Sequence, residues 1–182
     1  MKKIFLAFLL FTFSCDNEPV NVDVLISGGT IHDGTGVKGY IGNVAIKNDT
    51  IFYVGKKKNF TANQTINATG KVVSPGFINM LSWGYNTLMQ DGRSLSDLKQ
   101  GVTLEVFGEG TSPGPRGSIT NNNYVSFGEA MEKLELSGVS TNIASYLGAA
   151  TVRIQEIGYA NRKATPNEME SMRNIVKLAM MQ

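Results

Sequence analysis

The chain has 182 residues, 42% hydrophobic and 18% charged, with a formal net charge of +2 at pH 7; that is enough for one ordinary domain, or for a small domain and part of a larger one. So slight a charge, on residues scattered along the chain, argues against nucleic acid or any other polyanion as a partner. One cysteine, Cys15, and one histidine, His32, exclude an internal disulfide framework, a cysteine-cluster metal site and any two-histidine site within these residues.

At the start, Lys2 and Lys3 precede an almost unbroken apolar run over residues 4–13. It has the length of a signal-peptide core and is too short to span a bilayer. The run closes on Thr12-Phe13-Ser14-Cys15, which resembles a relaxed bacterial lipobox. Residues 1–15 are therefore expected to be a lipoprotein signal peptide, with Cys15 the lipidated residue and 16–21 a polar tether. Stable anchoring takes more than one acyl chain. An ordinary cleaved signal with a chance cysteine is the alternative, and both readings predict export; the lipoprotein reading places the protein in the cell envelope, on the membrane through its anchor. Lys56-Lys57-Lys58 reads as a solvated turn. The Asn-x-Ser/Thr triplets at Asn48, Asn59, Asn63 and Asn67 read as turn and edge-strand composition.

Residues 22–74 predict a small β module. A strand over 22–26 runs into Gly28-Gly29, and a Gly34-Thr35-Gly36 turn follows. Val44 and Ile46 alternate with polar neighbours, Asn48-Asp49 makes a two-residue turn, and residues 51–54 return, as in a hairpin. A further strand is expected around Lys71-Val72-Val73. So few short strands bury little alone.

From Pro75 the period changes. An apolar run over 77–83 is followed by a helix near Ser94, where Ser94 and Asp97 have capping-box spacing. A strand is expected over 101–107, then a helix from Ser126 capped by Glu129, with Phe127, Ala130, Met131 and Leu134 on its buried stripe. Residues 140–147 predict a third strand. The last helix opens on Thr165-Pro166-Asn167-Glu168, an N-cap, a proline at N1 and a capping-box glutamate, with Met169, Met172, Val176, Ala179 and Met180 as its expected buried stripe. Strand and helix in alternation predict a parallel α/β architecture. A (β/α)8 barrel takes ~250 residues, and residues 75–182 supply room for about three of its eight units. The last helix reaches Gln182 without a stop signal, which predicts a truncated barrel; an open three-stranded α/β domain is the competing reading and would leave parallel edges unpaired.

Three segments, in order, resemble the amidohydrolase superfamily and its N-acyl-D-amino-acid deacylase (D-aminoacylase) branch. They are Asp23-Val24-Leu25-Ile26-Ser27-Gly28-Gly29-Thr30-Ile31-His32-Asp33-Gly34-Thr35-Gly36, then Val73-Ser74-Pro75-Gly76-Phe77-Ile78-Asn79, then Gly101-Val102-Thr103. The resemblance implies part of a β-sandwich over 22–74 and the start of a TIM-type barrel over 75–182. It also implies hydrolysis of an amide C–N bond in a small-molecule substrate, with one divalent metal, zinc by the family's habit, activating water. His32, in the sandwich turn, is read as structural.

The family's metal residues are replaced in this stretch. The positions that match its Asp-x-His-x-His are Asn79, Leu81 and Trp83, which strand alternation would put on one face; neither leucine nor indole replaces imidazole on a cation. The family's cysteine after the second barrel strand falls opposite Gly110, or opposite Glu109 with a one-residue gap. Glu109 is thus the one metal-ligand candidate, against a solvent-facing or N-cap role. Glu105 is expected to be a deeper charged residue paired with a lysine or arginine. Where the family has a histidine after the third strand, the chain reads Gly148-Ala149-Ala150-Thr151. Catalytic residues are unknown here and would lie beyond Gln182, and these 182 residues alone are expected to be inactive. The alternative is a non-catalytic envelope lipoprotein that uses the scaffold for binding.

Overall fold

The computed structural model describes residues 18–57, 59–117 and 122–182. The expected signal peptide with Cys15, the first residues of the tether, and Lys58 of the lysine triplet lie outside the described residues. The chain divides into two compact units at Pro75.

The first unit is a five-stranded sheet of β1 (Val20–Ile31), β2 (Tyr40–Lys47), β3 (Thr50–Gly55), β4 (Phe60–Asn67) and β5 (Val72–Val73). Its order is β3-β2-β1-β4, with β5 also on β1. The β1–β2 and β2–β3 pairs are antiparallel, and β4 and β5 run parallel to β1. The hairpin turn falls on Asn48-Asp49 as expected, with Asn48 at φ 52°, a left-handed conformation that asparagine tolerates through its short polar side chain. Strand β4 was not expected as an element, although the Asn-x-Ser/Thr triplets at Asn63 and Asn67 on it read as turn and edge-strand composition. Six of its eight residues are exposed, so its alternation carries little hydrophobic signal; it is held by its ladder to β1. Tyr53 of β3 and Phe60 of β4 sit with ring centroids 5.3 Å apart, although their strands bound opposite sides of the sheet, so the sheet is curled.

Midway along β1 the pairing with β2 shifts between Ser27 and Gly29. Gly28 bulges out there at φ 75° and donates its N–H to Asn43 Oδ1 at 3.0 Å. The Asn43 amide in turn donates to the Lys57 carbonyl at 2.8 Å. This buried asparagine thereby supplies the partner that a bulge takes from the ladder. His32 follows β1 in the turn, in van der Waals range of Gly39.

In the second unit the elements run β6 (Phe77–Asn79), α1 (Tyr85–Leu88), α2 (Leu95–Leu98), β7 (Val102–Phe107), α3 (Phe127–Leu136), β8 (Asn142–Ser145), α4 (Ala149–Ile157) and α5 (Pro166–Ala179). The strands form one parallel sheet in the order β6-β7-β8. Buried Tyr85, Leu88, Phe107 and Leu134 make its core, with Tyr85 set edge-on to Phe107. Helix α3 has the expected reciprocal cap, Ser126 with Glu129, and buries Ala130 and Leu134 on the expected stripe.

Three expectations are corrected here. Strand β6 ends at Asn79, whose side chain accepts the Leu81 N–H at 3.2 Å in a turn. Helix α4 forms where no helix was expected; it opens on Gly148 without a side-chain cap. In α5 the stripe is rotated by about one position: Met169, Val176 and Met180 are exposed, while Glu168, Ser171, Met172, Ile175 and Ala179 are half-buried. This face packs on α4, and Glu168 is drawn onto it by its cap to Thr165 and by Arg162.

The Arg162 guanidinium, hydrogen-bonded to Glu168 at 2.6 and 2.8 Å, together with the Thr165 N–H, lowers the Glu168 pKa to about 2. A carboxylate lowered in the fold stabilises it above its ordinary pKa, and that contribution fades as pH falls toward the folded value. The difference in urea midpoint between the protein and Glu168→Gln is therefore expected to be largest above pH 5 and to shrink toward pH 2. A difference that does not change with pH would contradict this.

Candidate functional site

Parallel α/β sheets place their chemistry at the C-terminal ends of the strands, on the loops that follow. In the second unit these are residues 80–84 after β6, 108–117 after β7 and 146–148 after β8.

Leu81 and Trp83 do not share a strand face with Asn79, contrary to expectation. They lie on the loop past β6, 53% and 66% exposed, while the Asn79 amide donates to Asp97 at 3.3 Å. Between them Ser82 continues the ladder by donating its N–H to the Val106 carbonyl. Its hydroxyl turns inward to Glu105.

Glu105 is 2% exposed and has no lysine or arginine partner among the described residues, which corrects the expected ion pair. Three hydroxyls take that place. Ser82 donates to Oε2 at 2.7 Å, and Ser94 and Thr141 donate to Oε1 at 2.6 and 2.9 Å. They come from the β6 loop, the start of α2 and the lead-in to β8. Ser94 thereby gives up the expected capping role: it sits at φ 44° and makes no cap bond.

Beside this cluster, Arg93 grips Asp91 with Nε at 2.8 Å and Nη2 at 2.7 Å, which holds the exposed Asp91 carboxyl down at about 2. Asp91 is thus engaged in a surface fork and is not poised as a base at neutral pH.

Past β7 the backbone is packed against two neighbours. Gly108, at φ 89°, lies against the Tyr146 carbonyl; Ala150 N–H reaches the Gly110 carbonyl at 3.0 Å; and Ser112 N–H reaches Thr151 Oγ1 at 2.7 Å. Glu109 stands between these contacts, exposed, and makes no hydrogen bond or ion pair among the described residues. No group of three His, Cys, Asp or Glu among the described residues could hold a metal ion. The donor chemistry agrees, since neither Leu81 nor Trp83 on the loop past β6 can bind a cation in place of imidazole. The described residues do not fit a metal site by themselves.

A cavity of about 330 Å³ opens beside these loops, lined by Trp83, Tyr85, Asn86, Arg116, Thr151 and Gln155 among others. Arg116 was not singled out from the sequence, where it is a lone cation in the loop segment Pro113-Gly114-Pro115-Arg116-Gly117. Its guanidinium lies 5.3 Å from the Tyr85 ring centroid and donates to the Tyr85 hydroxyl at 3.2 Å. Its backbone pairs with Val125.

No family model matches the chain. Among curated proteins, D-aminoacylase of Alcaligenes xylosoxydans xylosoxydans is 26% identical over 91% of this chain and 36% of its own length. A solved structure of D-aminoacylase, described as defining a novel subset of amidohydrolases, is 27% identical and superposes with a TM-score of 0.77 over 88% of this chain and 36% of that one. In sequence and in fold, this chain is similar to the D-aminoacylase amidohydrolases. The N-acyl-D-glutamate deacylase of Bordetella bronchiseptica, solved with zinc and a phosphonate inhibitor, is 22% identical and shares the fold at a TM-score of 0.78, again over 36% of that chain. The chain therefore spans about a third of the length of the relatives it matches. Its mixed α/β sheets correspond to part of their fold, and those relatives are hydrolases of C–N bonds outside peptides.

Proposed function

We propose that this chain is the N-terminal part of an exported, metal-dependent amidohydrolase that cleaves the amide C–N bond of an N-acyl amino acid, most closely in the manner of an N-acyl-D-amino-acid deacylase. The observation that carries the reading is the similarity to D-aminoacylase, which holds in sequence and in backbone over nearly nine-tenths of the chain. The parallel strands of the second unit then belong to a (β/α)8 barrel, and the first unit to a β-sandwich. The metal is one divalent ion, zinc, held mainly by residues of the full-length protein other than those described, with Glu109 the single candidate here. Cys15 anchors the protein in the envelope through its acyl chains.

The full-length protein is expected to hydrolyse one or more N-acetyl-D-amino acids and to lose activity to a chelator. Glu109→Ala is expected to lower its metal content; unchanged zinc would remove Glu109 from the site. Absence of turnover across the D-amino-acid panel, with zinc loaded, would sink the enzyme reading. Fatty-acid labelling that survives Cys15→Ser would do the same for the anchor. The loop positions of Leu81 and Trp83, neither able to bind a cation, favour a second reading, a binding lipoprotein on the same scaffold. It predicts ligand binding without turnover.

A further inference from the structure

We propose that Arg116 makes the cavity beside α4 a subsite for the carboxylate of a small-molecule ligand. The inference rests on the hydrolase reading for the amide part of that ligand, but not for the anion. Among the described residues no aspartate or glutamate lines the cavity, and its polar lining there is hydroxyl and amide, with Arg116 the one charged group. The neighbouring cavity around Glu105 differs, being lined by Asp91, Asp97 and Glu105.

The guanidinium is held in place without being neutralised. Tyr85 covers it with its ring and takes one N–H on its hydroxyl. No ion pair among the described residues includes Arg116. A guanidinium carries five donors in a planar fork, so an edge remains for a bidentate partner, and a carboxylate matches that edge. Fixing the fork beforehand lessens the ordering cost of binding. Thr151, Gln155 and Asn86 line the same space, the Gln155 amide donating to the Gly117 carbonyl at 2.6 Å and Thr151 Oγ1 accepting the Ser112 N–H at 2.7 Å. A volume of about 330 Å³ lies in the range of small-molecule pockets.

The test compares N-acetylglycine with its neutral analogue N-acetylglycinamide by calorimetric titration of the full chain at low ionic strength. The carboxylate is expected to bind at least about tenfold more tightly, as a charge-assisted bidentate pair would give. Arg116→Gln should equalise the two ligands, and Arg116→Lys should keep part of the preference. Should Arg116→Gln fail to melt cooperatively, Asn86→Asp decides: it puts an acid on the cavity wall at an exposed helical position and should equalise the ligands with Arg116 in place. Equal binding by the unaltered protein, or a preference that survives Arg116→Gln, overturns the proposal. Inorganic phosphate that binds through Arg116 while N-acetylglycine does not would also overturn it. Amide hydrolysis is scored separately, on the full-length protein. Turnover without an Arg116-dependent preference sinks the subsite alone, and the preference without turnover sinks the hydrolase reading alone.

Discussion

Glu105→Leu is expected to destabilise the second unit by about 3 kcal/mol or more, because each of the hydroxyls left without an acceptor costs ~1–3 kcal/mol when buried. Ser94 and Thr141 are 8% and 4% exposed, so water cannot readily replace the lost acceptor. The same argument fixes the direction of rescue. Adding Ser82→Ala and Thr141→Val to Glu105→Leu removes two of the stranded donors, and part of the stability should return, since replacing both partners by apolar groups approaches neutrality. Glu105→Gln, which keeps an acceptor oxygen but sets an amide against the other hydroxyls, should fall between the parent and the leucine variant. Urea midpoints of the full chain measure all three. A leucine variant within about 0.5 kcal/mol of the parent, the range of an ordinary surface substitution, would show that the cluster is not what joins the β6 loop, α2 and β8.

Gly108→Ala is expected to cost about as much, by a different route. A Cβ there would lie 1.9 Å from the Tyr146 carbonyl oxygen and 2.7 Å from its carbon. Both are backbone atoms, held by the Tyr146 N–H bond to the Phe107 carbonyl, so neither can swing away. Two costs add: a residue other than glycine at φ 89°, ~1–3 kcal/mol, and the overpacked contact, another ~1–3 kcal/mol. Gly138 separates them. It has a similar φ of 79° and open space around the site of a Cβ, so Gly138→Ala should show only the first. Equal losses at the two positions would mean that the clash at Gly108 is relieved by movement of the loop, and that Glu109 does not sit on a rigid support.

How far the sequence could be read depended on where each segment's partners lie. The Asn48-Asp49 hairpin and the caps at Ser126 and Thr165 are local devices, complete within a few residues, and the structure has them where they were expected. Strand β4 was missed because residues 60–67 are polar and are specified by β1, some 40 residues earlier. Ser94 misled because its spacing to Asp97 satisfies the local rule, while Glu105, on the next strand, offered its hydroxyl a buried acceptor. Leu81 and Trp83 were placed on a strand by extending an alternation that the Asn79 side chain interrupts. The similarity to D-aminoacylases was legible from three short segments, each carrying a glycine at a strand start or turn. Arg116 was not. Nothing near it in sequence marks it, and its setting comes from Tyr85, 31 residues away.

The bulge at Gly28 has a bearing on folding fidelity. Strands that can slide past one another by a residue exchange their inner and outer faces, and a curled sheet with many exposed side chains penalises that error weakly. Here a slip of β1 against β2 would carry Gly28 away from Asn43, leave a buried amide without its partners and demand a left-handed backbone of Ser27 or Gly29. Only one alignment lets Asn43 serve both Gly28 and Lys57. The asparagine acts as a key that favours this alignment of β1 against β2 over a slipped one.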